Sequence, residues 1–264
     1  MIEIKDLVKI FHRGSVNEVL ALSGINLDIR QGDFITIIGS NGAGKSTLLN
    51  CLAGSLTIDS GHIRVGSEDV SRWPEHQRAT LISRVFQDPL LGTCGSLSIE
   101  QNLALANRRG KVHGLGPGVK RSDQELFRKQ LALLGLGLEN RLKDKVGLLS
   151  GGQRQALTLL MATLIKPQIL LLDEHTAALD PKTAQQVLEL TQQLIAEQHL
   201  TALMVTHNMR QALQLGNRLI MLHGGRVILD ISGKDKEKMT VEDLLEQFYK
   251  VRGEAFVSDR MLLV

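Results

Sequence analysis

Gly39-Ser40-Asn41-Gly42-Ala43-Gly44-Lys45-Ser46 is the stretch from which the fold of this chain can be read. It fits G-x-x-x-x-G-K-[ST] and stands where that pattern has physical meaning, after a strand and opening a helix. Upstream, Phe34-Ile35-Thr36-Ile37-Ile38 is a short β-branched run suited to a buried strand. Downstream, Ser46-Thr47-Leu48-Leu49-Asn50-Cys51-Leu52-Ala53 reads as a helix. Glycines let successive backbone N–H groups turn inward around a phosphate, and the helix N-terminus adds partial positive charge. Lys45 can reach β- and γ-phosphates as a point charge, and the Ser46 hydroxyl can ligate Mg²⁺. Nucleotide contacts are therefore expected from Ser40, Asn41, Gly42, Ala43, Gly44, Lys45, Ser46 and Thr47. The alternative, a chance glycine-rich turn, is disfavoured by the strand and helix flanks.

Working outward, Ile2–Ile4 alternates apolar and charged residues, and Ile25, Leu27 and Ile29 alternate with Asn26 and Asp28. Both read as strands. Ser60-Gly61 and Gly66-Ser67 read as hairpin signals. From Ser98 to Ile165 the pattern turns helical, with Ser98/Gln101 and Ser122/Glu125 as capping boxes. A basic loop, Arg108–Arg121, holds the breaker Gly114-Leu115-Gly116-Pro117-Gly118; it reads as a solvated loop or as a basic contact with a membrane surface or partner. Ile169-Leu170-Leu171-Leu172 is an apolar strand ending in Asp173 and Glu174. A helix follows from Pro181, then a buried strand, Ala202-Leu203-Met204-Val205, ending at Thr206-His207. His223-Gly224-Gly225 marks a hairpin, and Thr240 with Asp243 caps a final helix. Strands alternating with helices predict a mostly parallel α/β sheet with a helical insertion.

A hydrolytic phosphate site needs a second metal anchor and a group that orients water. Asp173, delivered to the carboxyl edge of a sheet, suits Mg²⁺, and Glu174 suits polarisation of the attacking water. Composition narrows the rest. The 264 residues are 43% hydrophobic and 22% charged, which excludes a disordered chain. A net charge of +3 gives no argument for nucleic acid as a partner. The N-terminus carries no secretory pattern, and no apolar run approaches the roughly 18 residues that span a bilayer. Cys51 and Cys94 lack metal-ligand spacing or a disulfide framework, so a reducing, cytoplasmic setting is expected.

Leu149-Ser150-Gly151-Gly152-Gln153 resembles the signature sequence of ATP-binding-cassette (ABC) ATPases, upstream of Asp173 as that family has it. Other landmarks follow in order. Gln87, in Val85-Phe86-Gln87-Asp88, is similar to the family's loop between catalytic core and helical subdomain. Ala177-Ala178-Leu179-Asp180 resembles its dimer-contact loop, and His207 its switch histidine. Phe11 falls where the family places an aromatic that stacks on adenine, although it could simply fill the core; His12 is the weaker candidate. The resemblance spans nearly the whole chain. It implies a phosphate-loop (P-loop) NTPase of the ABC-ATPase fold, α/β, with an N-terminal antiparallel β region and an inserted α-helical subdomain. Residues 1–87 and 166–264 would form a RecA-like core, and 88–165 the helical subdomain with the signature.

The resemblance also implies a mechanism. Two copies of the chain would sandwich ATP, with Lys45 on one side and Ser150, Gly151, Gly152, Gln153 and Asp180 on the other. Gln87 would join Ser46 and Asp173 around Mg²⁺, His207 would contact the γ-phosphate, and Glu174, His207, Gln87 and Lys45 would carry hydrolysis. There are departures: His175 stands where the family often has proline and reads as structural, and Ala156 and Met161 stand where many relatives carry arginine. A single cassette without a spanning segment or long heptad insertion favours a transporter ATPase over a repair or translation factor. The signature and His207 disfavour a small-molecule kinase. The partners implied are a second copy, membrane permease subunits and a substrate-binding protein, placing the chain on the inner face of the cell membrane. Ser96–Ala106 and Gly225–Asp230 are similar to ATPases of tryptophan/tyrosine uptake systems, which points to amino-acid import. Export, or a non-transport role, is the alternative.

Overall fold

The computed structural model describes residues 1–111 and 118–252. The Gly114-Leu115-Gly116-Pro117 part of the breaker and the last twelve residues of the tail lie outside the described residues. In chain order the elements are β1 (Ile2–Phe11), β2 (Val19–Ile29), β3 (Phe34–Gly39), α1 (Lys45–Ala53), β4 (Ser60–Val65), β5 (Glu68–Asp69), α2 (Glu75–Arg78) and β6 (Ile82–Val85). Then come α3 (Ile99–Asn107), α4 (Arg121–Ala132), α5 (Gly151–Thr163), β7 (Ile169–Asp173) and α6 (Pro181–Glu197). The chain ends with β8 (Ala202–Val205), α7 (Met209–Gln214), β9 (Arg218–His223), β10 (Arg226–Ser232), α8 (Gly233–Lys238) and α9 (Val241–Arg252). These elements fall into two compact units, 1–78 with 200–252, and 79–111 with 118–199.

In the first unit β2, β1, β4 and β5 form an antiparallel sheet in that order. Ile25, Leu27 and Ile29 point into the core while Asn26 and Asp28 face solvent, the period-2 pattern of a one-sided sheet. Gly66-Ser67 does turn a hairpin, β4 into β5, but Ser60-Gly61 does not. Gly61 lies inside β4, opposite a bulge in β1, where an added Cβ would sit 2.4 Å from the Asp6 carbonyl oxygen. The glycine answers a close backbone approach rather than a turn. A second group of strands has β3 between β8 and β9, parallel to both, with β10 antiparallel to β9. Phe34 to Ile38 is buried throughout, as expected of a strand covered on both faces.

The second unit pairs β6 with β7 in parallel and packs α3, α4 and α5 around a leucine-rich core that includes Phe127, Leu131 and Leu160. Ala156 is buried in that core and Met161 packs against it. Ser98 and Gln101 close their capping box. Ser122 does not cap α4: the helix starts at Arg121, and the Asp123 carboxylate accepts the Lys120 amide at 3.0 Å. An acid at the third helical position satisfies that amide, which leaves Ser122 inside the first turn. The Thr240–Asp243 cap on α9 forms in both directions. Of the two thiols, Cys51 is buried and pushed up to about 11 by desolvation, whereas Cys94 is exposed. Among the described residues, no helix is long and apolar enough to cross a membrane.

Candidate functional site

The phosphate loop is assembled where β3 stops. At Gly39 an added Cβ would lie 2.3 Å from the Leu222 carbonyl oxygen, so a side chain there would block the turn. Gly44 caps α1 at φ 100°, and its Cβ would meet the Ala21 carbonyl oxygen at 2.6 Å. Helices α3, α5, α6 and α7 each begin on a side chain that accepts a first-turn amide; α1 begins on Gly44, with no side-chain cap. First-turn amides have no acceptor within their own helix, so the start of α1 is shaped for an external anion. The Lys45 ammonium is buried in the loop, donating to the carbonyls of Gly39 at 2.7 Å and Ser40 at 3.0 Å. Ser46, at the second position of the helix, is exposed.

His207 belongs to the same unit. It follows β8, whose register pairs Val205 with Ile37, so it emerges at the same strand end as Gly39. The backbone on both sides of it is fixed. The Thr206 amide donates to the Ile37 carbonyl, the Thr206 hydroxyl accepts the Asn208 amide, and Asn208 caps α7. Phe11 closes β1 opposite Val19, partly buried, with the Lys9 ammonium 5.7 Å from its ring centre.

The second unit carries the remaining candidates. Asp173 ends β7, and its carboxylate accepts a 2.6 Å charged hydrogen bond from Arg84 on β6. Sequence reasoning missed this pair, because β6 and β7 are far apart along the chain. The available signal was a cation within the short strand-like run Ile82-Ser83-Arg84-Val85-Phe86. Arg84 is held in turn over the Phe86 ring, 4.6 Å from its centre. Glu174 turns sharply off the strand at φ 47°, an uncommon conformation for a residue with a Cβ. Gln87 is exposed on the loop after β6, and buried Gln155 of α5 donates to the Phe86 carbonyl at the root of that loop. That anchor was also not foreseen.

Ser150 caps α5: its hydroxyl accepts the Gln153 amide at 3.2 Å, and the Gln153 side chain accepts the Ser150 amide. The Ser150 O–H remains able to donate outward. Gly152 has a packing reason, since its Cβ would lie 2.1 Å from the Thr183 methyl of α6. Asp180 caps α6, and hydrogen bonds from Thr183 hold its carboxyl below the usual range.

His175 behaves as a structural residue. Thr191 donates to the Val187 carbonyl and so accepts from the His175 Nε2–H at 3.0 Å. Burial pushes the imidazole down to about 4 from 6.5. Between those values the unfolded chain binds a proton that the native state refuses, so this stabilisation is present above about pH 6.5 and lost as pH falls toward 4. The expected loss between pH 7 and pH 5 is about 2 kcal/mol. His175→Gln should flatten it, as judged from urea unfolding at both pH values; an unchanged pH slope would refute the assignment.

The scan against family models matches the ABC transporter family over residues 22–177, more than half of the chain. The chain belongs to the ABC transporter family. This ABC ATPase is 47% identical to a tyrosine transport ATP-binding protein of Clostridioides difficile, over 94% of this chain and 98% of that one. It is 36% identical to the methionine import ATP-binding protein MetN of Clostridium tetani, over 86% of this chain and 68% of the relative. A solved ATP-binding cassette, in a dimeric post-hydrolysis state bound to ADP and Pi, superposes with a TM-score of 0.74 at 28% identity, covering 88% of this chain and 98% of that one. The ABC-ATPase fold expected from the motifs is therefore the fold observed, and the chain is an ATP-binding, ATP-hydrolysing cassette of an ABC transporter.

Proposed function

We propose that this cassette powers uptake of an aromatic amino acid, tyrosine in the first instance, through separate membrane permease subunits on whose inner face it docks. A substrate-binding protein would deliver the solute. The observation that carries this is the 47% identity to the tyrosine transport ATP-binding protein over nearly the full length of both chains. The direction of transport is supported by the relative named for methionine import. In this reading 1–87 and 166–264 serve as the RecA-like core and 88–165 as the helical subdomain.

The donor set fits Mg²⁺. Ser46, Asp173 and Gln87 offer oxygen atoms, and among the described residues no group of three or more His, Cys, Asp or Glu forms a metal cage. Few side chains, with phosphate oxygens and water completing the shell, is how a hard, reluctantly dehydrated ion is held. When bound, the ion offsets the charge that builds on the phosphoryl oxygens in the transition state. The loop from Ser40 to Thr47 binds the phosphates through its amides. Lys45 moves its ammonium from the loop carbonyls to the β- and γ-phosphates. Arg84 keeps the Asp173 carboxylate oriented. Glu174 accepts a proton from the attacking water, His207 donates to the γ-phosphate, and Phe11 stacks on adenine. Ser150 and the α5 amides of a second copy close over the γ-phosphate, so hydrolysis removes the charge that bridges the pair.

Purification from detergent-solubilised membranes, with mass spectrometry of what accompanies the chain, tests the reading. A multi-span permease should co-purify, and the reconstituted complex should accumulate tyrosine in vesicles at the expense of ATP. Ribosomal or DNA-repair partners, or ATP-driven movement outward, would overturn it.

A further inference from the structure

We infer that the tip of the β9–β10 hairpin is a positioning element for the phosphate loop, with Gly225 setting the loop's shape without touching nucleotide. This rests on the reading that residues 39–47 bind the triphosphate. The hairpin meets the loop at both ends. The Leu222 carbonyl lies against Gly39, and the Gly225 amide donates to the Ala43 carbonyl at 3.2 Å. The Gly225 carbonyl in turn accepts the Ser23 amide of β2 at 2.8 Å. A Cβ on Gly225 would lie 2.7 Å from the Ala21 carbonyl oxygen, and one on Gly44 would lie 2.6 Å from the same atom. Three backbones, from β2, the loop and the hairpin, thus converge at the Ala21 carbonyl, beside the Leu22 side chain. The contact of Gly225 is with backbone atoms of Ala21 and Leu22 and with the Ala43 carbonyl, and backbone cannot yield by rotating a side chain, so a shift of the hairpin moves the loop.

The hairpin is itself braced from behind. His223 packs edge-on against Phe248 of α9, with ring centres 5.8 Å apart at 77°. Phe248 and Leu244 share a buried cluster with Met221 and with Ile38, the residue before Gly39. Phosphate affinity depends on loop amides that are already aligned, and displacements on the order of 1 Å in such cradles are costly.

Gly224 and Gly225 together give a clean test. Both lie at positive φ, 52° and 73°, as the two central residues of a two-residue hairpin loop, and asparagine tolerates that conformation. A Cβ at Gly224 meets nothing within 4 Å, whereas one at Gly225 collides with β2. Gly225→Asn should raise the KM for ATP and the Kd for a nonhydrolysable analogue on the order of tenfold, with kcat at saturating ATP within about twofold. Gly224→Asn should match the wild type. If the two variants are indistinguishable, or if Gly225→Asn lowers kcat at unchanged KM, the inference falls. Should Gly225→Asn fail to fold, hydrogen exchange in the wild-type chain decides: the analogue should slow exchange at the Gly225 amide, and an unchanged rate refutes the link. Lys45→Ala separates the two layers. Wild-type analogue binding by that variant would sink the phosphate-loop reading itself, while its loss alongside a normal Gly225→Asn would sink only the positioning role.

Discussion

Glu174→Gln is expected to bind ATP as tightly as the wild type and to lose turnover by about 10²–10⁴-fold, the range that a positioned general base contributes. Glutamine keeps the size and shape of glutamate, so the turn at φ 47° that carries the side chain off β7 should survive. What disappears is the carboxylate that takes the proton from water. Because ATP then persists, two copies held together by it should accumulate. Size-exclusion chromatography with ATP should show a dimer that the wild type forms only transiently, and phosphate release should fall to the stated level. Sustained hydrolysis by the variant would remove Glu174 from the mechanism.

Lys45→Ala acts one step earlier, on binding. The ammonium is folded against the Gly39 and Ser40 carbonyls, at 2.7 and 3.0 Å, and buried. Its removal takes away a brace of the loop and the point charge destined for the phosphates. Charge-assisted hydrogen bonds of this kind contribute about 1.5–3 kcal/mol, so affinity for ATP should fall by about 10–100-fold. Hydrolysis should fall further, because developing phosphoryl charge loses a preorganised partner. Calorimetric titration with a nonhydrolysable analogue, beside the steady-state rate, measures both. A variant that binds the analogue as the wild type does would refute the phosphate-loop reading, whatever its rate of turnover.

Most candidates for the site could be proposed residue by residue because their chemistry is local. The octet Gly39–Ser46 holds glycines, a lysine and a helix start, and the structure shows that Gly39 and Gly44 answer close backbone approaches. The apolar run Ile169–Leu172 could deliver its acids only to a strand end. Local signals also misled. Ser122/Glu125 has the composition of a capping box, yet Asp123 closes the helix start two residues earlier, on Lys120. Ser60-Gly61 looks like a turn and is a strand crossing a bulge. Conversely, Ser150 and Gln153 form a capping box that the surrounding glycines obscured.

The amino-acid order alone determined to which family this chain belongs and which residues are the candidates for holding a triphosphate, because those signals reside in short segments whose geometry is set by neighbours along the chain. Tertiary structure alone decided that Arg84 takes the Asp173 carboxylate, that Gln155 anchors the Gln87 loop, and that Gly225 buttresses Ala43. Each joins residues separated by scores of positions. Such pairs meet only once strands have chosen their partners and register, and nothing in either segment read by itself specifies that choice.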